Sequence, residues 1–514
     1  MSRPIRLLSA FMTVGAWTLL SRILGFVRDA MIAAFLGAGP VVDAFVIAFS
    51  LPNLFRRFFA EGAFNMAFIP MFSKRLEKGE DAQGFATDAM SGLAAIVLAF
   101  TLIALAAMPW LVFALASGFK GDARFDLAVD YGRITFPYIF FISLAALLSG
   151  VLNALGRFAI AAAAPIFLNF ILIGAMLFAA HTGADVARTL VWAIPVAGLI
   201  QMVLVWVAAS HAGIRLIPRL PRWTPELKRL AIIAGPAALA GGVVQVNLVV
   251  GRQVASYFEG AAGLLYYADR LYQLPLGLVG VAIGVVLLPD LSRRLGAGDK
   301  QGGIRAVNRA TEFSMALTLP ATAALIAIPL PLVAVLFQRG AFTPADAAAT
   351  SVAVAIYGAG LPAFVLQKVF SPIYFAREDT RRPFNYAFVS MLVNAVLAIG
   401  LAPVIGFVAA AVGTTIAAWI NLGLLWRGAR RIENGFVPDA RLIRALPRLL
   451  FASVLMGGVV LAASVALGQA LVTPTWRYAA LGLLVAIGAG FYAVAVLGLG
   501  AMKLSDLRSA LRRG

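Results

Sequence analysis

Three short stretches carry charge into otherwise apolar surroundings. "SRILGFVRDA" (21–30) holds Arg22, Arg28 and Asp29. "LPNLFRRFFAEGAF" (51–64) holds Asn53, Arg56, Arg57 and Glu61, and "YYADRLYQLP" (266–275) holds Asp269, Arg270 and Gln273. On helices these residues group by spacing. Arg22 and Asp29 stand seven residues apart, almost two turns, and so share a face. Asn53 precedes Arg56 and Arg57 by three and four residues, Arg57 and Glu61 form an i, i+4 pair, and Asp269 and Gln273 share a face with Arg270 beside it. A guanidinium is planar, keeps its charge at physiological pH, and grips phosphate or carboxylate through paired hydrogen bonds. The chemistry on offer is capture of an anion. Catalysis finds no matching constellation. The chain has no cysteine, its two histidines, His181 and His211, fall at helix ends on opposite predicted sides of the membrane, and no Walker-type loop is present. No catalytic residue, metal site or cofactor is expected, and the chain does not read as an enzyme.

The elements that position these residues follow from composition. Of 514 residues, 62% are hydrophobic and 13% charged, against about 25% charged in a soluble domain. Apolar windows long enough to span a bilayer recur throughout. The expected fold is an all-α polytopic membrane protein with fourteen spans. They lie near 8–36, 42–72, 86–116, 130–152, 158–180, 188–210, 227–258, 263–291, 308–337, 346–375, 383–403, 406–427, 449–470 and 477–500. The first, although preceded by Arg3 and Arg6, lacks a small-residue cleavage site and reads as a retained helix.

A net charge of +19 would suggest nucleic acid in a soluble protein, but here it follows topology. Eight of the 42 basic residues fall within spans: Arg22, Arg28, Arg56, Arg57, Arg133, Arg252, Arg270 and Lys368. Lys120, Arg124, Arg188, Arg339 and Arg477 fall in loops of one side, and all others in the termini and loops of the opposite side. By the positive-inside rule the richer side, with both termini, is cytoplasmic.

The chain also repeats itself. Residues 136–158 align with 361–383 at an offset of 225, which sets Pro137 on Pro362 and Arg157 on Arg382, and further along Asn169 on Asn394. Leu51-Pro52 matches Leu274-Pro275 at 223, and "IPMFSKRL" (69–76) matches "LPDLSRRL" (288–295) at 219. The expected organisation is an N-lobe (1–212), a basic cytoplasmic linker (213–226), a C-lobe (227–430), and two C-terminal helices with a tail (431–514). Two parallel six-helix repeats are a transporter architecture, with substrate held between the halves.

Arginines facing lipid would be costly. At roughly 2.5–3.5 kcal/mol each at mid-bilayer, eight would cost on the order of 20–28 kcal/mol, more than a typical net stability. Arg133 and Arg252 can snorkel from helix ends, whereas the central ones must face a polar interior. One reading pairs every arginine with an acid to lock helices together. The nearby acids are few (Asp29, Asp43, Glu61, Glu259 and Asp269), so an excess of positive charge remains and calls for an anionic ligand. Gly25, Pro52 and Pro275 lie close to the clusters, where broken helices would suit a midplane site.

These same stretches, with "DAFVIAFSLPNLFRRFFAEGAF" (43–64), closely resemble the MurJ/MviN lipid II flippase family of the multidrug/oligosaccharidyl-lipid/polysaccharide exporter superfamily. The resemblance covers essentially the whole chain. It implies a flippase that moves a lipid-linked peptidoglycan precursor from the inner to the outer leaflet of the bacterial cytoplasmic membrane. It further implies alternating access between two lobes, with spans one, two, seven and eight lining the cavity. It places the cavity arginines on Arg22, Arg28, Arg56 and Arg270, with Asp29, Asp43 and Asn53 at further polar positions of the substrate site. Around them, Arg57, Glu61, Arg252, Asp269 and Gln273 are expected to gate or support. Gln273 stands where some relatives carry glutamate, which leaves the cavity more positive. The last two spans are implied to form a groove for the polyprenyl tail.

The implied partners are lipid II (an undecaprenyl-diphosphate-linked muropeptide), membrane lipids and cell-wall synthases, with no nucleic acid and a functional monomer. Three alternatives stay open: a flippase for another polyprenyl-diphosphate-linked oligosaccharide of O-antigen type, a non-transporting scaffold for cell-wall synthesis, and an integral-membrane transferase using a carboxylate base. A cation-coupled drug exporter would need an acidic cavity, which the arginines contradict. Lys368 either touches substrate or packs at a helix end.

Overall fold

The computed structural model describes residues 7–59, 63–222, 224–432 and 436–502. Among the described residues every regular element is helical: nineteen α-helices and one 3₁₀ turn at Ser117–Phe119. Helices follow from the solvent, because in lipid each backbone N–H and C=O must be satisfied within its own segment. Ten spans among the described residues are long and apolar enough to cross a membrane. The remaining four predicted segments are helical too. They are α1 (Leu7–Leu36), α2 (Pro40–Phe59) followed by α3 (Ala63–Lys78), α10 (Pro225–Ser256) and α11 (Ala261–Gly296).

The structure departs from the predicted segmentation where proline sits. The third span divides at Ala107 into α4 (Ala82–Ala106) and α5 (Met108–Leu115), ahead of Pro109. The ninth divides at Ile328 into α12 (Lys300–Ala327) and α13 (Pro329–Phe337). A proline removes a backbone donor and clashes with the turn before it, so the helix restarts with proline in its first turn. The fourth span divides as well, into α6 (Ala123–Thr135) and α7 (Tyr138–Ala154), whereas its repeat mate α14 (Pro344–Phe375) runs through Pro362. The breaks expected beside the charged clusters are absent. α1 is continuous through Gly25, α2 through Pro52 and α11 through Pro275. Gly25 faces the Asn169 amide of the first unit, which a Cβ there would meet at 3.7 Å, an ordinary contact.

The chain forms two compact units. The first gathers the described residues up to Gly263 with Gly340–Phe342, and the second gathers Leu264–Arg339 with the described residues from Thr343 onward. This division differs from the repeat boundary, because α10 packs on α2, α3 and α5 of the first unit. In that unit α1 packs on α8 (Phe158–Thr182), and α7 and α8 pack on α9 (Val186–His211). Its core is aromatic: Phe45, Phe68, Phe72, Phe119, Phe136 and Tyr138 are fully buried.

In the second unit, α14, α15 (Arg381–Ile405) and α16 (Val408–Arg431) pack together. Lipid tails give apolar helices no reason to associate, so small residues and polar side chains must bind them. Gly413 lets α16 approach so closely that a Cβ would stand 2.8 Å from Asn394 Oδ1. Ser390 donates to Ala417 O at 2.6 Å, Gln367 to Ala418 O at 2.9 Å and Tyr374 to Leu425 O at 2.6 Å. The last helices, α17 (Ala440–Ala466), the short α18 (Gly468–Val472) and α19 (Arg477–Gly498), complete this unit. They bury Met456, Val460, Leu481 and Leu484 with Ile328 and Val335 in one cluster.

The repeat extends to capping. Asp81 caps α4 through Gly84 N at 2.7 Å, and Asp299 caps α12 through Gly302 N at 2.8 Å.

Candidate functional site

The first unit holds a buried ion pair on α1. Arg28 and Asp29 are buried, and the Arg28 Nε and Nη2 donate to Asp29 Oδ1 at 2.9 and 2.7 Å. The third arm, Nη1, donates to Asn169 Oδ1 on α8 at 2.9 Å, and Asn169 donates back to Ser21 O at 3.0 Å. The guanidinium also faces the Phe49 ring of α2, 5.9 Å from its centroid. Arg28 thereby joins three helices, with its charge balanced by the neighbouring acid. Arg22, one and a half turns earlier, is exposed. Asp29 turns to Arg28, so the Arg22–Asp29 spacing does not become a contact.

On α2, Arg56 and Asn53 are half-buried, and Asn53 donates to Phe49 O of its own helix at 2.8 Å. The Arg57 side chain and Glu61, with their expected pair, lie outside the described residues. Asp43, at the start of the same helix, is fully buried. Its carboxylate accepts from Gly260 N at 2.7 Å, Gly263 N at 3.0 Å and Arg124 Nη1 at 3.3 Å. These contacts make it a tie between α2, the start of α6 and the α10–α11 turn. Arg252 on α10 is half-buried and Arg133 is exposed.

The second unit carries the eighth-span cluster on α11. Asp269 accepts from the Gln273 amide, so the two share a face as their spacing requires. Arg270 is half-buried and lies over the Tyr266 ring, 4.6 Å from its centroid. Tyr272 packs between Tyr357 and Phe364, with centroids at 5.0 and 5.4 Å. This aromatic footing fixes the rotation of α11. Lys368 on α14 is exposed.

Two residues of these networks were not singled out by residue type. Arg124 counted only as one of five basic loop residues, yet it is buried against Asp43, Asp122 and the Phe119 ring. Asn169 was visible only as the repeat mate of Asn394, and both are buried.

Arg28 in the first unit and Arg270 in the second each lie against an aromatic ring, and each guanidinium is a group able to hold an anion. The model of the family "Lipid II flippase MurJ" matches residues 32–481. A "Probable lipid II flippase MurJ" of Rhizobium meliloti is 44% identical over 99% of this chain and 97% of its own length. The "Lipid II flippase MurJ" of Burkholderia cenocepacia is 35% identical over 88% and 90%. Among solved structures, a lipid II flippase MurJ in an inward closed conformation superposes with a TM-score of 0.78 at 25% identity, over 95% of this chain and 99% of that one. An inward-facing multidrug transporter of the MATE family shares the fold, with a TM-score of 0.66 at 13% identity over 82% and 97%. Matched along nearly its whole length, this multi-pass membrane protein belongs to the lipid II flippase MurJ family.

Proposed function

We propose that this chain carries lipid II from the inner to the outer leaflet of the cytoplasmic membrane by alternating access, with arginines holding the diphosphate. The observation that supports this most is the family match over residues 32–481, which includes α2 and α11; the α1 cluster at 22–29 lies before it. Arg22, Arg28, Arg56 and Arg270 are the proposed diphosphate ligands. A diphosphate accepts bidentate hydrogen bonds from such forks, and arginine does not lose its charge as pH changes. Asp29 orients the Arg28 fork and lowers the cost of keeping it buried between substrates. Asp43 and Asn53 complete the site by positioning α2, and Arg252, Asp269 and Gln273 support or gate it.

The lobes are residues 1–212 and 227–430, both termini are cytoplasmic, and α17 with α19 forms the groove for the polyprenyl tail. The chain works as a monomer and meets cell-wall synthases in the membrane. Cycling requires that substrate bind the two states unequally, since equal affinity shifts no population.

The test is leaflet exchange of labelled lipid II in vesicles of the purified protein, beside rescue of cells depleted of their own lipid II flippase. Wild type is expected to exchange lipid II and restore growth, and Arg270→Ala to do neither while keeping its thermal midpoint. A folded wild type that exchanges a different polyprenyl-diphosphate sugar but not lipid II would overturn the substrate assignment. Exchange of neither lipid would favour the scaffold reading.

A further inference from the structure

Two arginines of the second unit converge on one hydroxyl. α13 ends at Phe337, and Arg339 follows its cap residue Gln338. α19 begins at Arg477, with Tyr478 next in the chain. Apolar packing fixes where these two helix ends stand, since Val335 of α13 and Leu481 of α19 are buried in one cluster with Ile328 and Leu484. Arg339 Nη1 donates to the Tyr478 hydroxyl, and Arg477 Nη2 donates to the same oxygen at 3.3 Å. Arg477 also lies over the Tyr478 ring, 5.0 Å from its centroid. The two guanidiniums therefore approach within about 6 Å, where like charges repel.

Helix capping accounts for part of this arrangement. Arg339 Nη2 donates to Leu336 O at 2.7 Å and Arg477 Nη1 to Gln338 O at 3.1 Å, both at the C-terminal end of α13. A helix C-terminus carries only about half a negative charge, and two guanidiniums exceed it. Among the described residues no carboxylate pairs with either arginine. Arg339 and Arg477 also belong to the five basic loop residues on the side poor in them, so the positive-inside rule does not call for them. A guanidinium has five N–H donors, and each of these spends two on protein. The phenol accepts from both arginines and keeps its own proton to donate. Every group that converges here is a donor, and an anion with several acceptor oxygens completes the set. A phosphate is such an anion, and the guanidinium fork matches it.

The surroundings indicate which phosphate. Trp476 is 63% exposed and Tyr478 48%, and nearby Val472 is 78% exposed. Tryptophan and tyrosine gather at the head-group level of a bilayer. A free phosphate gains nothing from this exposed apolar surface, whereas a lipid sets its phosphate at the arginines and its chains against the apolar flank.

We propose that Arg339, Arg477 and Tyr478 form a phosphate site for an anionic phospholipid at the head-group level of the membrane. The site lies wholly within the second unit and is additional to the diphosphate ligands proposed above. It does not depend on which lipid is transported.

The chain contains no cysteine, so a single Thr475→Cys at an exposed position carries one fluorophore close to the site. The full-length labelled protein in neutral detergent is titrated with phosphatidylglycerol bearing a nitroxide high on one acyl chain. Phosphatidylcholine with the same nitroxide is the control, because its choline cancels the phosphate charge. Phosphatidylglycerol is expected to half-quench at a concentration at least roughly tenfold lower, as suits two arginines meeting an anionic lipid. Arg339→Gln/Arg477→Gln should abolish that preference. Equal quenching by the two lipids in the otherwise wild-type protein overturns the site. A preference that survives in the double variant overturns it too, and leaves the arginines as caps of α13. A large excess of inorganic phosphate should leave the quenching in place. If it displaces the lipid, the site is one for free phosphate and the lipid assignment fails.

Tyr478→Phe keeps the exposed ring and removes the hydroxyl, so it tests the site even if the double variant loses its fold. It is expected to lower the preference several-fold, and an unchanged preference overturns the shared-hydroxyl site. The readout is binding alone, so a protein that exchanges no lipid II would sink the proposed function and leave this measurement intact.

Discussion

Arg28 is proposed to serve substrate, yet it also neutralises a buried acid, and the two roles can be separated. Arg28→Met leaves the Asp29 carboxylate, 2% exposed, without the guanidinium 2.7 Å away. Breaking a buried pair from one side costs about 3–5 kcal/mol. Asn169 loses a donor as well, for roughly 1 kcal/mol more. A typical net stability is about 5–15 kcal/mol, so the single variant should unfold markedly earlier on heating. Arg28→Met/Asp29→Asn removes both charges and should recover more than half of that loss, because no buried charge is then stranded. The assay is a thermal midpoint of the detergent-purified protein, run beside lipid II exchange in vesicles. The double variant is expected to be stable and inactive. If it is as unstable as the single variant, the pair does not carry the energy assigned to it. If it is stable and fully active, Arg28 exists to balance Asp29 and plays no part in holding the diphosphate.

The remaining predictions address other ties. Glu312, 2% exposed on α12, accepts from Arg309 and from Arg441 on α17 at 2.8 Å. Glu312→Ala should cost about 3 kcal/mol, at the low end because both arginines reach solvent, and should expose the α17 face to limited proteolysis. Unchanged cleavage would count against that tie. At the head of α6, the Arg124 backbone N–H and side chain, both bonded to Asp122, hold its carboxyl below the usual carboxylate range. A depressed carboxylate stabilises the fold above its unfolded pKa of about 3.9 and loses that contribution as pH falls through the folded value. The thermal midpoint should therefore drop more between pH 6 and 3 in wild type than in Asp122→Asn, by a small margin because Asp122 is exposed.

Much of this protein was legible from residue types because lipid leaves the backbone few options. Every predicted span falls on helix among the described residues, although the second, third, fourth and ninth each fall on two helices rather than one. The repeat was legible from Pro137 and Pro362 and from Asn169 and Asn394, although α14 runs through the proline that separates α6 from α7. Glycine and proline misled in one respect. Gly25, Pro52 and Pro275 suggested broken helices, but α1, α2 and α11 run through them. Helical periodicity also set Arg22 and Asp29 together, whereas Asp29 is bonded to its sequence neighbour Arg28.

From the sequence alone came the membrane, the helices and the repeat, because each depends on composition or on spacing along one helix. The expected excess of buried arginine over acid did not follow, since among the described residues Arg28 and Arg124 are buried, but so are Asp29, Asp43 and Glu312. The tertiary structure decided which charges face one another. Arg124 meets Asp43 across 81 positions, Asp43 meets Gly260 across 217, and Arg28 meets Asn169 across 141. It also decided why Gly118 is glycine, because a Cβ there would stand 2.6 Å from the backbone at Ser256 and Tyr257. Such pairings depend on how packed helices rotate and approach, and no periodicity within a single helix encodes that.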